Sequence, residues 1–123
     1  MMITYRKGQV GDIENIIKTA NESFIPVRDK SFDFSKVMPF AYGKGIDSSN
    51  IHQLAFDGKK MVGLAGNVIN EFNLDRVSYP YSFVGTVSVI PSYQKKGIMK
   101  QLMKRTDETN EKEKVVFSLL TGS

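Results

Sequence analysis

Between Ser88 and Arg105 the chain reads "SVIPSYQKKGIMKQLMKR", and its character changes halfway along. An apolar strand pattern ends at Pro91, a polar and basic turn runs to Gly97, and a helical pattern follows without a break. A strand butted onto a helix through so short a turn belongs to an α/β sheet layered with helices. The start of such a helix has unpaired N–H groups and the positive end of the helix dipole, which together favour an anion. Gln94 to Met99 would present several of those N–H groups in succession. Gly97 removes the Cβ that would hold a phosphate away from the backbone, and Lys95 and Lys96 add charge. Two readings stay open at this point. One is a phosphate-bearing ligand; the other is a tight strand-to-helix connection with no ligand.

The rest of the chain supplies the layers. Ile3 and Tyr5 alternate with polar neighbours as a first strand, broken by Gly8 and Gly11. Asp12 then sits where a helix start favours an acid, and Ile13, Ile16, Ile17, Ala20 and Phe24 recur at helical spacing up to Pro26. A short second helix and a loop are expected between Arg28 and Tyr42. Ile51 to Phe56 and Met61 to Ile69 read as strands joined at Asp57-Gly58, a pair that readily supplies positive φ in a tight turn. Glu71 to Ser78 is polar, either a second hairpin loop or a pair of ragged strand ends. Phe83 to Ile90 is the next strand, with Gly85, Val87 and Val89 on one face and Val84, Thr86, Ser88 and Ile90 on the other. Both faces are largely apolar, which predicts a central strand. Ile98, Met99, Leu102, Met103 and Thr106 mark one face of the following helix, whose later half, "DETNEKEK", looks solvated. Val115 to Leu120 is a last apolar strand. The order is β-α-(α)-β-β-β-α-β.

Composition bounds the function class. The 123 residues suit one domain, spanning 1–123, and carry a net charge of +4. Cysteine is absent, which excludes disulfides and thiolate metal sites and is compatible with a reducing compartment. No apolar run approaches membrane-spanning length and no signal-peptide pattern opens the chain, so a cytoplasmic protein with no membrane partner is expected. The basic residues are scattered, densest at Lys95, Lys96, Lys100, Lys104 and Arg105 around the turn, and no nucleic-acid recognition motif accompanies them. No nucleic-acid partner is expected. Neither the G-x-x-x-x-G-K-[ST] loop nor a G-x-G-x-x-G after a strand is present, and Gly43 and Gly45 form only a lone G-x-G in a loop.

With these residues in place, "VSVIPSYQKKGIMKQLM" resembles the signature of the GNAT superfamily of N-acetyltransferases: an apolar strand, Pro-x-Tyr, then Gln or Arg-x-x-Gly-x-(Gly or Ala) opening a helix. Pro91, Tyr93, Gln94 and Gly97 match in register, and Met99 departs from the usual small residue. The order of elements from Met2 to Ser123 also fits, most like bacterial members in which this domain precedes others. The resemblance implies an acyl-CoA N-acyltransferase-like fold, a mixed and mostly antiparallel sheet with helices on both faces, here lacking the C-terminal strands. It implies acetyl-CoA as co-substrate, with backbone groups of Val87, Ser88 and Val89 meeting the pantetheine and thioester. The turn and helix start, Gln94, Lys95, Lys96, Gly97, Ile98, Met99 and Lys100, would hold the pyrophosphate. The acetyl group would pass directly to a primary amine of a small molecule or peptide, with a base, an oxyanion donor and an acid. The family acid is commonly a Tyr beyond the strand matching Val115 to Leu120, so no catalytic residue is assigned, and this chain alone is expected to transfer little acetyl. The alternative is a non-catalytic CoA-binding or degenerate interaction domain.

Other candidates read more plainly as structure. Glu71 and Asp75 are expected to face solvent, His52 to be structural, and the methionines to fill the core; no metal site is expected. Phe32, Phe34, Phe40 and Tyr42 read equally as an acceptor pocket or as packing. The last strand, 115–120, ends without a Lys or Pro to blunt its edge, so self-association into a homo-oligomer through that edge is expected.

Overall fold

The structure, a computed structural model, describes residues 2–24, 43–45, 47–116 and 118–120. The expected short helix and the aromatics Phe32, Phe34, Phe40 and Tyr42 lie outside those residues. Among the described residues, five strands form one sheet in the order β1-β2-β3-β4-β5: β1 Ile3–Lys7, β2 His52–Asp57, β3 Lys60–Leu74, β4 Val77–Val89 and β5 Ser118–Leu120. The first four pair antiparallel, and β5 runs parallel to β4 at the edge. Helix α1 spans Ile13–Phe24, and α2 spans Ile98–Lys112 between β4 and β5. The mixed, mostly antiparallel sheet with helices layered on it is the expected fold class.

Each helix owns a core cluster, and the two clusters draw on the same strands. Ile16 and Ala20 of α1 pack on Leu54, Met61 and Leu64, with Ile13 and Ile17 beside them. Ile98 and Leu102 of α2 pack with Ala55, Val62, Ala65, Val89 and Ile90. Leu54 and Ala55 are neighbours in β2, so the period of two sends them to opposite faces. Each fully buried aliphatic side chain contributes about 1.5–3 kcal/mol. That explains why the predicted stripe of α1 is the face that docks.

Several expectations change in detail. The first hairpin turns at Gly58-Lys59, with Asp57 still paired to Lys60 and Gly58 at φ 61. The second hairpin is two strand ends closed by Asp75 and Arg76, both at positive φ (50 and 67), as a primed two-residue turn requires. Glu71 and Asp75 are exposed there as expected, and Ser78 donates to the Glu71 carboxylate. In β4 the strict alternation fails: Leu64 faces Ser88 and Gly66 faces Gly85, so β4 carries one residue more than β3 over this stretch. A bulge of this kind re-aims the side chains on either side of it. The buried face of α2 keeps Ile98, Leu102 and Thr106 of the expected stripe and adds Asn110, whereas Met99 is 48% exposed. Asn110 therefore leaves the solvated half of the helix for the core. The last strand is shorter than expected; Val116 is exposed, and its N–H donates to Pro80 O of β4 at 2.9 Å.

The junction of β1, α1 and β2 is polar and closely bonded. Arg6 donates twice to Asp12, at 2.7 and 3.1 Å, and Gln9 N–H donates to the same carboxylate. These bonds hold Asp12 below the ordinary carboxylate value of 3.8. The Asp47 carboxylate accepts from the Ser49 hydroxyl and from the Ser49 and Gly11 N–H groups, and is lowered likewise. His52 is wholly buried, and its Nδ1 lies 2.8 Å from Ser48 O, which can only accept. Desolvation pushes its pKa below the ordinary 6.5 against the pull of its backbone hydrogen bonds, so the ring is held neutral.

Acid should weaken the fold in two stages. Below about pH 6.5 the unfolded chain protonates its histidine before the folded chain does, so His52 removes stability as pH falls, by up to about 1.4 kcal/mol per pH unit. Asp12 and Asp47 add a second loss once pH falls below about 4, where their unfolded forms take up protons first. Urea denaturation at stepped pH measures both stages. A flat midpoint from about pH 7.5 to 5 would show that His52 is not held neutral.

Candidate functional site

The turn that follows β4 is built to leave backbone N–H groups facing outward. Pro91 opens a single 3₁₀ turn through Tyr93, closed by Gln94 N–H donating to Pro91 O at 3.3 Å. Lys95 then takes φ 63 and Gly97 φ 79, both left-handed, and α2 begins at Ile98. Left-handed residues alternating through a turn make successive N–H groups converge, a concavity that suits an anion. The first bond entering α2 is Gln101 N–H to Gly97 O at 3.1 Å. The N–H groups of Ile98, Met99 and Lys100 consequently have no intrahelical acceptor. No side chain caps this helix end.

A cavity of about 230 Å³ lies at this point, lined by Val89, Tyr93, Gln94, Lys95, Gly97, Ile98, Met99 and Lys100. Among the predicted site residues, Val87, Ser88 and Lys96 do not line it. Ser88 is buried within the sheet, and Lys96 is exposed on the turn. A Cβ built on Gly97 meets nothing within 4 Å, so it would project into open space at the cavity. The Met99 side chain forms part of the wall, which is the structural consequence of its departure from a small residue. Gln94 folds back, its Nε2 donating to Val89 O at 3.0 Å. That carbonyl, one of the backbone groups expected to meet a ligand, is therefore engaged within the protein.

Sequence reasoning missed the long-range partner of Tyr93. Its hydroxyl donates to Asp57 Oδ2 at 2.6 Å, across to the end of β2, and the Lys60 ammonium lies 5.8 Å from its ring centre. The hydrogen bond to Asp57 raises the Tyr93 pKa above its ordinary 10.0, so the phenol stays a neutral donor. The first hairpin and the turn are thus tied together. No local signal announces such a contact, because the two residues are far apart in the chain.

Beside the turn, the edge of β4 changes along its length. Pairing to β5 joins Ser82 to Ser118, Phe83 to Leu119 and Val84 to Leu120. Among the described residues, the pairing with β5 is seen as far as Val84.

Residues 4–123 match the family model described as an acetyltransferase (GNAT) domain. The chain belongs to the GNAT acetyltransferase family. Its fold is similar to that of a predicted acetyltransferase from Clostridium acetobutylicum solved with acetyl-CoA, at 15% identity and TM-score 0.77, covering 99% of this chain and 82% of that one. A GNAT family acetyltransferase from Brucella melitensis in complex with acetyl-CoA aligns at 17% identity and TM-score 0.72, covering 99% and 77%. Glucosamine-6-phosphate N-acetyltransferase from Arabidopsis thaliana aligns at 13% identity and TM-score 0.67, covering 100% and 84%. At these identities the likeness is one of fold. No curated protein matches the sequence. Among the described residues, no helix is long and apolar enough to cross a membrane, and no three His, Asp or Glu side chains group to hold a metal.

Proposed function

We propose that this member of the family binds acetyl-CoA at the turn after β4 and passes its acetyl group to a primary amine of a small molecule or peptide. The observation that carries this reading is the pair of left-handed residues, Lys95 and Gly97, at the uncapped start of α2. N–H groups converge there with no intrahelical acceptor, and the missing Cβ of Gly97 leaves room beside them. The residues fit a diphosphate. Gln94 to Lys100 would hold it, with Lys95, Lys96 and Lys100 supplying charge. Backbone groups of Val87 and Ser88 would meet the arm that leads away from the diphosphate. The Gln94 side chain, bonded to Val89 O, keeps the end of the strand in place beneath the turn. The chemistry acetyl-CoA supplies is an activated thioester open to attack by an amine.

Calorimetric titration of the protein with acetyl-CoA tests the reading. One ligand should bind per chain, and a fragment lacking the diphosphate should bind at least about 100-fold more weakly, a loss of about 2.8 kcal/mol. Release of CoA thiol in the presence of a panel of primary amines then measures transfer. Equal binding of the fragment and the intact ligand would remove the turn from the site.

A further inference from the structure

Asn110 carries a polar side chain into the core at the place where β5 meets the sheet. It is 6% exposed and continues the buried stripe of α2. Its Oδ1 accepts from Asn67 Nδ2 at 2.8 Å, and its Nδ2 donates to Ser82 Oγ at 2.9 Å and to Ser118 Oγ at 3.2 Å. Ser82 Oγ in turn donates to Ser118 Oγ at 2.7 Å. β3, β4, β5 and α2 each contribute one member. The backbone repeats the arrangement, since Val115 N–H donates to Asn110 O at 2.9 Å and starts the chain towards β5.

Two features give this network a direction. Asn67 is 8% exposed, and its Oδ1 is buried without a hydrogen-bond partner. A buried acceptor left unpaired is a cost that native structures rarely carry. What the Asn67 amide does provide is the bond that turns the Asn110 amide so that its N–H groups face the two serines. The second feature is position. Among the described residues, Ser82–Ser118 is the first register pair between β4 and β5 and Val84–Leu120 the last. The side-chain network joins the two strands at this first pair.

We propose that Asn110, oriented by Asn67, is a positioning residue that pins β5 to β4 at Ser82–Ser118. It thereby fixes the β4–β5 pairing next to the stretch of β4 along which the acyl arm of acetyl-CoA is proposed to extend. The proposal rests on the acetyl-CoA reading above. A ligand held at the turn after Val89 and running back along β4 reaches the pair Val84–Leu120 after five residues, about 17 Å, and the pin at Ser82 lies two residues further on. The pin acts at the acyl end and leaves the diphosphate end untouched.

The test uses Ser118→Ala, Asn110→Leu and the conservative Ser118→Thr, each with two measurements. Hydrogen exchange in the protein without ligand should be at least about tenfold faster at the β5 amides in the first two variants, with α1 and the start of α2 unchanged. Acetyl-CoA affinity should fall about tenfold in the same two variants. The affinity of 3′-phosphoadenosine 5′-diphosphate, which keeps the diphosphate and lacks the acyl arm, should stay within about twofold. Ser118→Thr keeps the hydroxyl and should restore both values. Unchanged β5 protection, protection lost evenly across the sheet, or parallel losses for the two ligands would each overturn the proposal. If the unmodified protein bound neither ligand, the acetyl-CoA reading would fail by itself, and the exchange data would still decide the pin. Should Asn110→Leu fail to fold, Ser118→Ala carries the test.

Discussion

Gly8→Ala is expected to cost about 3 kcal/mol or more, lowering the melting temperature by roughly 10–20 °C. Gly8 is buried at the end of β1, where its N–H donates to His52 O at 2.8 Å. A Cβ on Gly8 would collide with the Ser49 carbonyl oxygen and lie 2.8 Å from the carbon that bears it. Backbone is what it meets, and backbone cannot turn aside as the tip of a side chain can. Ser49 is itself fixed by the Asp47 carboxylate, and Ser48 O by His52, so moving the turn aside would strain several hydrogen bonds together. Gly58→Ala provides the contrast. Gly58 sits at φ 61 in open space, so alanine there brings only the left-handed strain, about 1–2 kcal/mol. Thermal melts of both variants measure the difference. A Gly8→Ala protein as stable as Gly58→Ala would mean that β1 does not press on the turn.

The same glycine shows what the sequence makes legible and what it hides. Gly8 reads as a strand breaker, which it is, but the sequence contains no sign of the turn forty residues later that requires the missing Cβ. The stripe of α1 is legible because Ile13, Ile16, Ile17 and Ala20 are apolar at the spacing of one helix face. The stripe of α2 has the same spacing, every fourth residue from Ile98 to Asn110, yet it turns polar at Thr106 and Asn110. Hydropathy therefore assigned its last turn to solvent, and only the partners Ser82, Asn67 and Ser118 explain its burial. The second hairpin is legible as the polar run Glu71 to Ser78, but its turn residues Asp75 and Arg76 are not, because neither is a glycine, although Asp tolerates the left-handed region better than most residues. The turn after β4 was the most legible part. Its proline, glycine and lysines act locally, through φ, the absent Cβ and charge, and local chemistry can be read from local sequence. Tyr93–Asp57 and the β4 bulge are tertiary, and nothing nearby in the chain announces them.

Gly97→Glu is expected to abolish acetyl-CoA binding, with affinity at least about 100-fold below that of the unmodified protein. Two effects of different origin add at this residue. The first is conformational: at φ 79 any side chain is strained, and relief of that strain would turn the N–H groups of the helix start away from their common focus. The second is electrostatic. Gly97 lines the cavity and a Cβ there projects into open space, so a glutamate would bring its carboxylate close to where the diphosphate is proposed to enter. Two unit charges 4 Å apart at an effective dielectric of 20 repel by about 4 kcal/mol, and the diphosphate carries more than one. Gly97→Ala separates the two effects, since it keeps the strain and omits the charge; its affinity should fall about tenfold. Calorimetric titration of both variants, with melting curves to show that each is folded, provides the comparison. Raising the salt concentration should recover part of the glutamate loss and none of the alanine loss, because screening acts on charge and not on φ. A folded Gly97→Glu protein that binds acetyl-CoA as the unmodified chain does would remove the diphosphate from this turn.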